Sequence, residues 1–450
     1  MRYILMFICF GSVEFLFSQN SSNMELLGTF DPISNGYNDI WGYVDSEDNE
    51  YAIIGTKGGI YFVDVTECDN PQLVYQFNGS GFEWWRDFKA YKDYVYAVMD
   101  FGNEGMHVFD MSALPDGNIV KVATHTNDFL DAHNIFIDEE NHKLYAIDLF
   151  HPSYGDKDIA IYDLQANPAN PTLLYEGYLG GGGIHDANAK DDILYTSHYN
   201  DAKVEVYNVS HLSVSNSNSQ NTPIQLESLS GIYGAHSTWN DTNDAYSYVA
   251  AEVPNQPFKI LDLANLPSTN DITTVKVPGT NTDKTFWDPL ESGSGLIAHN
   301  PFALNNFLYI SHYEDGVKVY DISDEKNPQV AAYCDIYPQN DGNGYSGFFG
   351  TWGVYPFLPS GCIIASDDTN GLNTMQLSPD ISDTCTPILN LPNNISSDTY
   401  SASNYIKSDG YISGNTVKYQ AEDYINLNIG FEVPLGRDFE ATIEPCIPNN

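Results

Sequence analysis

Ile297-Ala298-His299-Asn300-Pro301-Phe302, then Leu308-Tyr309-Ile310-Ser311-His312, then Val317-Lys318-Val319-Tyr320-Asp321-Ile322-Ser323 with Asn327-Pro328 behind it, is one unit of a repeat. Seven phrases open such units: Ile40-Trp41-Gly42, Trp85-Arg86-Asp87, Ala132-His133-Asn134, Ile184-His185-Asp186, Ala235-His236-Ser237, Ala298-His299-Asn300 and Thr351-Trp352-Gly353. Successive phrases lie 45, 47, 52, 51, 63 and 53 residues apart, close to the 40–50 residues of a propeller blade. A repeat of that period fixes the architecture, because one unit cannot bury its apolar faces alone.

The first unit predicts four strands: a from Ile40 to Val44, b from Tyr51 to Ile54, c from Ile60 to Val65 and d from Gln72 to Phe77. Leu144-Tyr145-Ala146-Ile147, Ile193-Leu194-Tyr195-Thr196 and Leu308-Tyr309-Ile310-Ser311 read as b strands. Val204–Tyr207 and Val317–Tyr320 read as c strands, being β-branched and aromatic. The seventh unit ends after a c strand, Leu372 to Leu377, while an unassigned run, Met24 to Phe30, stands at the other end of the chain. Pairing that run into the seventh unit closes the ring and removes the free sheet edges. The expected fold is all-β, a seven-bladed β-propeller closed by an N-terminal strand over residues 19–384. A small β-stack domain follows over 385–450, where Val417–Ala421, Ile425–Leu427 and Phe439–Ile443 alternate apolar and polar between glycine turns.

Residues 1–18, one arginine followed by an apolar run, read as a signal peptide, so a secreted or cell-surface protein is expected. No later stretch reaches the roughly 18 apolar residues of a membrane span. Lys and Arg number 18 against 61 Asp and Glu, a formal net charge of -43. Such a surface repels nucleic acid and anionic lipid; it suits plain solubility or attraction of cations. Outside the leader five cysteines remain, Cys68, Cys334, Cys362, Cys385 and Cys446. Their pairing is open from sequence, with Cys385 and Cys446, which bracket the last segment, as the first candidate pair.

Strand a starts on the face to which strand b returns, so both positions gather at one mouth of the central channel. The a-start column holds Trp41, Arg86, His133, His185, His236, His299 and Trp352. The column after it holds Gly42, Asp87, Asn134, Asp186, Ser237, Asn300 and Gly353. The b-end positions hold Asp100, Asp148, His198, Glu252, His312 and Asp367. Six of the chain's 11 histidines, His133, His185, His198, His236, His299 and His312, are therefore expected at one mouth. Imidazoles and carboxylates at a common centre bind a transition metal or share protons with a substrate. Equally, each histidine can cap its own blade through a neighbouring carbonyl or carboxylate.

Ligand-binding candidates are Arg86, Asp87, His133, Asn134, His185, Asp186, His236, His299, Asn300 and Trp352. The six histidines with Asp148 and Asp367 are candidate ligands of a divalent metal. A small molecule, a glycan or a protein is the partner expected at the mouth. Asp64, Asp110, Asp163, Asp262 and Asp321, ending c strands, read as turn formers. Asp367-Asp368-Thr369-Asn370-Gly371 lacks the ligand spacing of a calcium loop and reads as a b–c turn. No nucleophile elbow, phosphate loop, HExxH or dinucleotide fingerprint occurs, which leans the reading toward binding or scaffolding. The alternative is a metal-dependent hydrolase or lyase working in the same mouth.

The unit from Ile297 to Pro328, together with Gly350-Thr351-Trp352-Gly353-Val354-Tyr355-Pro356-Phe357 and Pro359-Ser360-Gly361, resembles choice-of-anchor B proteins built from LVIVD-type repeats. The resemblance covers roughly 24–377 and implies a secreted or surface propeller; it brings no catalytic residues. Residues from about 400 to Cys446 resemble a three-coathanger stack. With four residues after Cys446, the expectation is that the anchor is absent or replaced by the stack.

Overall fold

A computed structural model describes residues 21–443 apart from 34, 80–83, 181–182, 217–219, 242–243, 255, 257, 264–272, 275–296, 326–327, 338–346, 379–387, 392–393, 397, 403–404 and 422–423. The leader at 1–18, the boundary near 384 and the pair Cys385 and Cys446 lie outside those residues.

In the first unit the strands are Tyr37–Val44, Glu50–Thr56, Gly59–Asp64 and Gln72–Asn78, hydrogen-bonded in that order. The same antiparallel order recurs around seven sheets, one per phrase: a seven-bladed β-propeller. Inner strands are apolar on both faces because each blade packs between two neighbours: Glu50–Thr56 is buried throughout, whereas Gln72–Asn78 on the rim is mostly exposed. Phe62 and Val95, for example, meet in the core between blades one and two. The turn reading of the aspartates holds at Asp64, Asp110, Asp163 and Asp321, which accept the N–H of the residue two further on at 2.9–3.0 Å; the residue two beyond Asp262 lies outside the described residues. Among the described residues no helix is long and apolar enough to cross a membrane.

Blade seven takes its outer strand from the chain's start. Met24–Phe30 pairs antiparallel with Gly371–Leu377, Met24 opposite Leu377 and Phe30 opposite Leu372, with a bulge between Leu26 and Gly28. Ahead of it, Ser21–Ser22 adds a fifth strand to blade six, which the sequence did not announce. A disulfide, Cys68–Cys362, joins the c–d turn of blade one to the residue just before strand b of blade seven, across 294 residues. Cys334 is a buried free thiol, pushed by burial up to about 12 and so inert.

Gly28 sits where the closing strand meets this staple. A Cβ there would lie 2.7 Å from Pro71 Cδ and 3.0 Å from the Cys68 carbonyl. Gly28→Val is therefore expected to cost about 1–3 kcal/mol, read as a lowered denaturation midpoint. An unchanged midpoint would contradict the closure.

Past the propeller, eight short strands between Ile388 and Ile443 pair in parallel. Ile388 lies beside Tyr405 and Tyr405 beside Tyr424, while Thr416 lies beside Asp438, so successive turns of chain stack as rungs. Ile395, Ile406, Ile412, Val417, Tyr419 and Ala421 form their core.

Candidate functional site

The channel is lined in layers because strand a lies nearest the axis and bulges at its start. The b-strand pairing skips a residue at His236 and at Trp352. Such a bulge lets two consecutive side chains face the same space. The deep layer follows two residues on, at the strand's own period.

The outermost layer contains four imidazoles in contact. Ring centroids lie 4.5 Å apart for His133 and His185, 4.3 Å for His185 and His236, and 4.3 Å for His236 and His299. Trp352 extends the arc, 5.2 Å from His299. Glu252, at the end of its b strand, reaches into it: its carboxylate lies 3.5 Å from His236 Nε2 and 3.8 Å from His299 Nε2, and accepts the Tyr313 hydroxyl at 2.5 Å. One ligand atom each from His185, His236 and Glu252 fall within 4.8 Å of one another. Ligands of a tetrahedral zinc ion stand roughly 3.3 Å apart at bonds of about 2.0 Å, so a modest contraction would close the set.

The electrostatics divide the arc. Burial, reinforced by the neighbouring imidazoles, holds His185 and His299 well below the ordinary histidine range. Burial also lowers His236, with Glu252 partly opposing. Three rings are thus neutral at pH 7, the form a metal requires. Burial also pulls His133 down, but its 3.0 Å bond to Asp100 and the charges of Asp100, Asp148 and Asp186 outweigh it and raise it. The Nδ1 atoms of His185, His236 and His299 are buried without a hydrogen-bond partner. The capping reading keeps its own support: His133 is bonded to Asp100, and backbone hydrogen bonds with His299 and Trp352 act on His236 and His299.

Two of the six expected histidines do not join the arc. His198 is fully buried, its Nε2 3.0 Å from Thr196 Oγ1 and 3.4 Å from Glu205 of strand c. His312 is buried 6.4 Å from Tyr320, with neither ring nitrogen bonded. Strand b lies one strand spacing, about 4.8 Å, further from the axis than strand a. Its end turns a shorter side chain onto its own c strand; Glu252 reaches inward with the help of Tyr313. Asp148, exposed and in the left-handed region (φ 50°), acts on His133 only through its charge.

Arg86 also points elsewhere. Its Nε donates to the Thr56 carbonyl at 3.0 Å and its Nη1 meets Glu104 at 3.3 Å. Part of it still lines the cavity of about 30 Å³ at the mouth, with His133, His236, His299 and Trp352.

The phase of blade one is three residues off the sequence reading. Asp39, not Gly42, matches Asp87 and Asp186, since each accepts the N–H of its following residue. Trp41 accordingly belongs to a deeper layer with Lys89, Phe136, Trp239 and Phe302, where Trp41 and Phe302 lie 6.1 Å apart and Trp239 and Phe302 4.8 Å. These rings line the same space as Asp39, Asn134, Asp186, Ser237 and Asn300 of the polar layer. From the deeper layer Lys89 Nζ reaches Asp87 at 2.7 Å, and burial followed by the Asp87 charge raises Asp39 well above the carboxylate range. Asp87 also accepts the Ile135 N–H at 2.7 Å, tying blade two to blade three. The Asn38-Asp39 pair before an apolar residue was the signal for this phase; the indole of Trp41 drew attention from it.

Asp367 closes the b–c turn of blade seven, its Oδ1 accepting Thr369 N–H at 2.9 Å and Asn370 N–H at 2.7 Å, and no histidine is among its bonded partners. Burial, opposed by those two bonds, pushes its carboxyl up to about 8. In the unfolded chain it ionises near 4. The native state therefore holds an extra proton in that window, and stability falls as pH rises through it, by up to about 1.4 kcal/mol per pH unit. Asp367→Asn is expected to flatten the decline in denaturation midpoint between pH 6 and 8. An unchanged slope would contradict this.

No family model matches the chain, and no curated protein matches it. Among solved structures, the computationally designed Ika8 protein aligns with a TM-score of 0.45 at 9% identity, covering 78% of this chain and 99% of its own. A protein from Lactobacillus plantarum aligns with a TM-score of 0.49 at 16% identity, covering 76% of this chain and 91% of its own. Likenesses of this depth say nothing about function.

Proposed function

We propose that this chain is an exported binding propeller whose mouth holds one divalent transition-metal ion through His185, His236 and Glu252. The observation that carries it is the convergence of two neutral imidazoles and a carboxylate within 4.8 Å. Imidazole donors favour zinc, copper or nickel over calcium and magnesium, which prefer all-oxygen sets. His299 and Tyr313 stand beside the ligands and orient Glu252. Export is supported by the leader-like residues 1–18, by the Cys68–Cys362 disulfide, which persists in oxidising compartments, and by the resemblance to choice-of-anchor B proteins.

Calorimetric titration of chelator-stripped, untagged protein tests the reading. One zinc, copper or nickel ion per chain is expected, with no competition from calcium or magnesium. No transition-metal binding would overturn it.

A second reading rests on the ligand count: three protein ligands, of which His236 also lines the mouth cavity, would leave a fourth position for water or substrate, as in catalytic zinc sites. A metal-dependent hydrolase or lyase would then turn over an ester, lactone or phosphoester in a chelator-sensitive way. Absence of such turnover in metal-loaded protein leaves the binding role standing alone.

A further inference from the structure

The exposed aromatic side chains of the propeller are not spread over its two faces. Trp84, Phe101, Phe150 and Tyr154 lie in or beside the loops that lead into strand a or out of strand b in blades two and three. Tyr178, Tyr233, Phe348 and Phe349 lie in loops leading into strand a of blades four, five and seven. All of these loops are on the mouth face. Their exposure runs from 38% at Trp84 to 66% at Phe101, and no described aromatic on the opposite face of the propeller is as exposed. The rings also connect to the site. Phe101 packs 5.9 Å from Trp85, which lines the mouth cavity, and Phe348 packs 5.4 Å from Tyr313, which bonds Glu252.

We propose that this aromatic rim docks a lysine- and arginine-rich segment of a partner protein. Charge complementarity selects that occupant. The chain carries a net charge of -43, and exposed carboxylates at Asp148, Asp156 and Asp201 stand among the rings. Among the described residues the face's own cations are already engaged: Lys157 with Glu176 at 2.6 Å, Lys203 with Glu205 at 3.1 Å, Arg86 with Glu104, and Lys57 over the Trp84 ring. An anionic ligand would therefore find repulsion and few open donors. Two of the rim rings already take an ammonium within the chain, Lys57 lying 2.9 Å from the Trp84 ring centre and Lys157 5.4 Å from that of Tyr154. The other rings offer the same negative π-face to a cation from outside. Electrostatic steering by the acidic surface brings such a segment in, and the rings hold it.

The test uses the full chain in chelator, so that it does not depend on metal. A fluorescent peptide of alternating lysine and glycine, its arginine counterpart, a glutamate peptide and a neutral β-glucan are titrated in turn. The basic peptides are expected to bind and the other two not. Tyr233→Ala combined with Phe348→Ala and Phe349→Ala keeps the net charge and is expected to weaken basic-peptide binding about tenfold or more. Phe349→Leu, which keeps apolar bulk without a ring, should weaken it measurably by itself, and Val214→Ala on the opposite face should not. Equal binding by wild type and the triple variant would reduce the effect to bulk charge and overturn the proposal. So would failure of the basic peptides to bind, or a glucan affinity that the triple variant loses.

Discussion

His185→Ala combined with His236→Ala is expected to abolish transition-metal binding at the mouth. Each replacement removes one of the three donors, and the remaining carboxylate cannot hold an imidazole-preferring ion by itself. Glu252→Gln is expected to weaken binding at least 100-fold, beyond the 10–100-fold typical of a supporting residue. It replaces the site's anionic donor by a neutral amide, whose oxygen still accepts the Tyr313 hydroxyl. His198→Ala and His312→Ala separate site from scaffold. Both rings are buried away from the arc, so these variants should lower stability while leaving metal affinity within about threefold. Calorimetry of all four, beside their thermal melts, checks the pattern. Equal loss of metal from His198→Ala would mean that the arc is not the site.

The second large effect concerns ring closure. Cys68 and Cys362 staple blade one to blade seven over 294 residues. In the chain-entropy model a loop of that length is worth roughly 6 kcal/mol, and removing a native disulfide typically costs about 2–5. Cys68→Ser is expected to lose about 2–5 kcal/mol and to make the N-terminal strand the first part to open, since Gly28 packs against the Cys68 carbonyl. Hydrogen exchange should show residues 24–30 losing protection well before the b strands of blades three and four. Uniform loss of protection would mean that the ring fails as one unit.

Much of the fold was legible because its information is repeated. The spacing of the phrases set the blade count, and a missing strand at one end matched a spare one at the other. The extra pair at Ser21–Ser22 was not legible, since two serines carry no pattern. Nor was the Cys68–Cys362 pairing, which depends on the two ends of the ring meeting. At the mouth, the a-start histidines could be read because strand a lines the axis in every blade. The b-end histidines could not, because reach and direction decide where a side chain one strand further out points. Blade one was misphased for a related reason. The sequence shows two polar residues, an isoleucine and an indole in succession, and only the backbone bond from Ile40 to Asp39 fixes which belongs to which layer.

Anomalous diffraction at the zinc absorption edge, on crystals of the stripped chain soaked in zinc, tests the metal site most directly. The expected result is one strong peak per chain between the imidazoles of His185 and His236 and the Glu252 carboxylate. A peak held by His198 with Glu205, or no peak at the mouth while surface carboxylates take the metal, would contradict it.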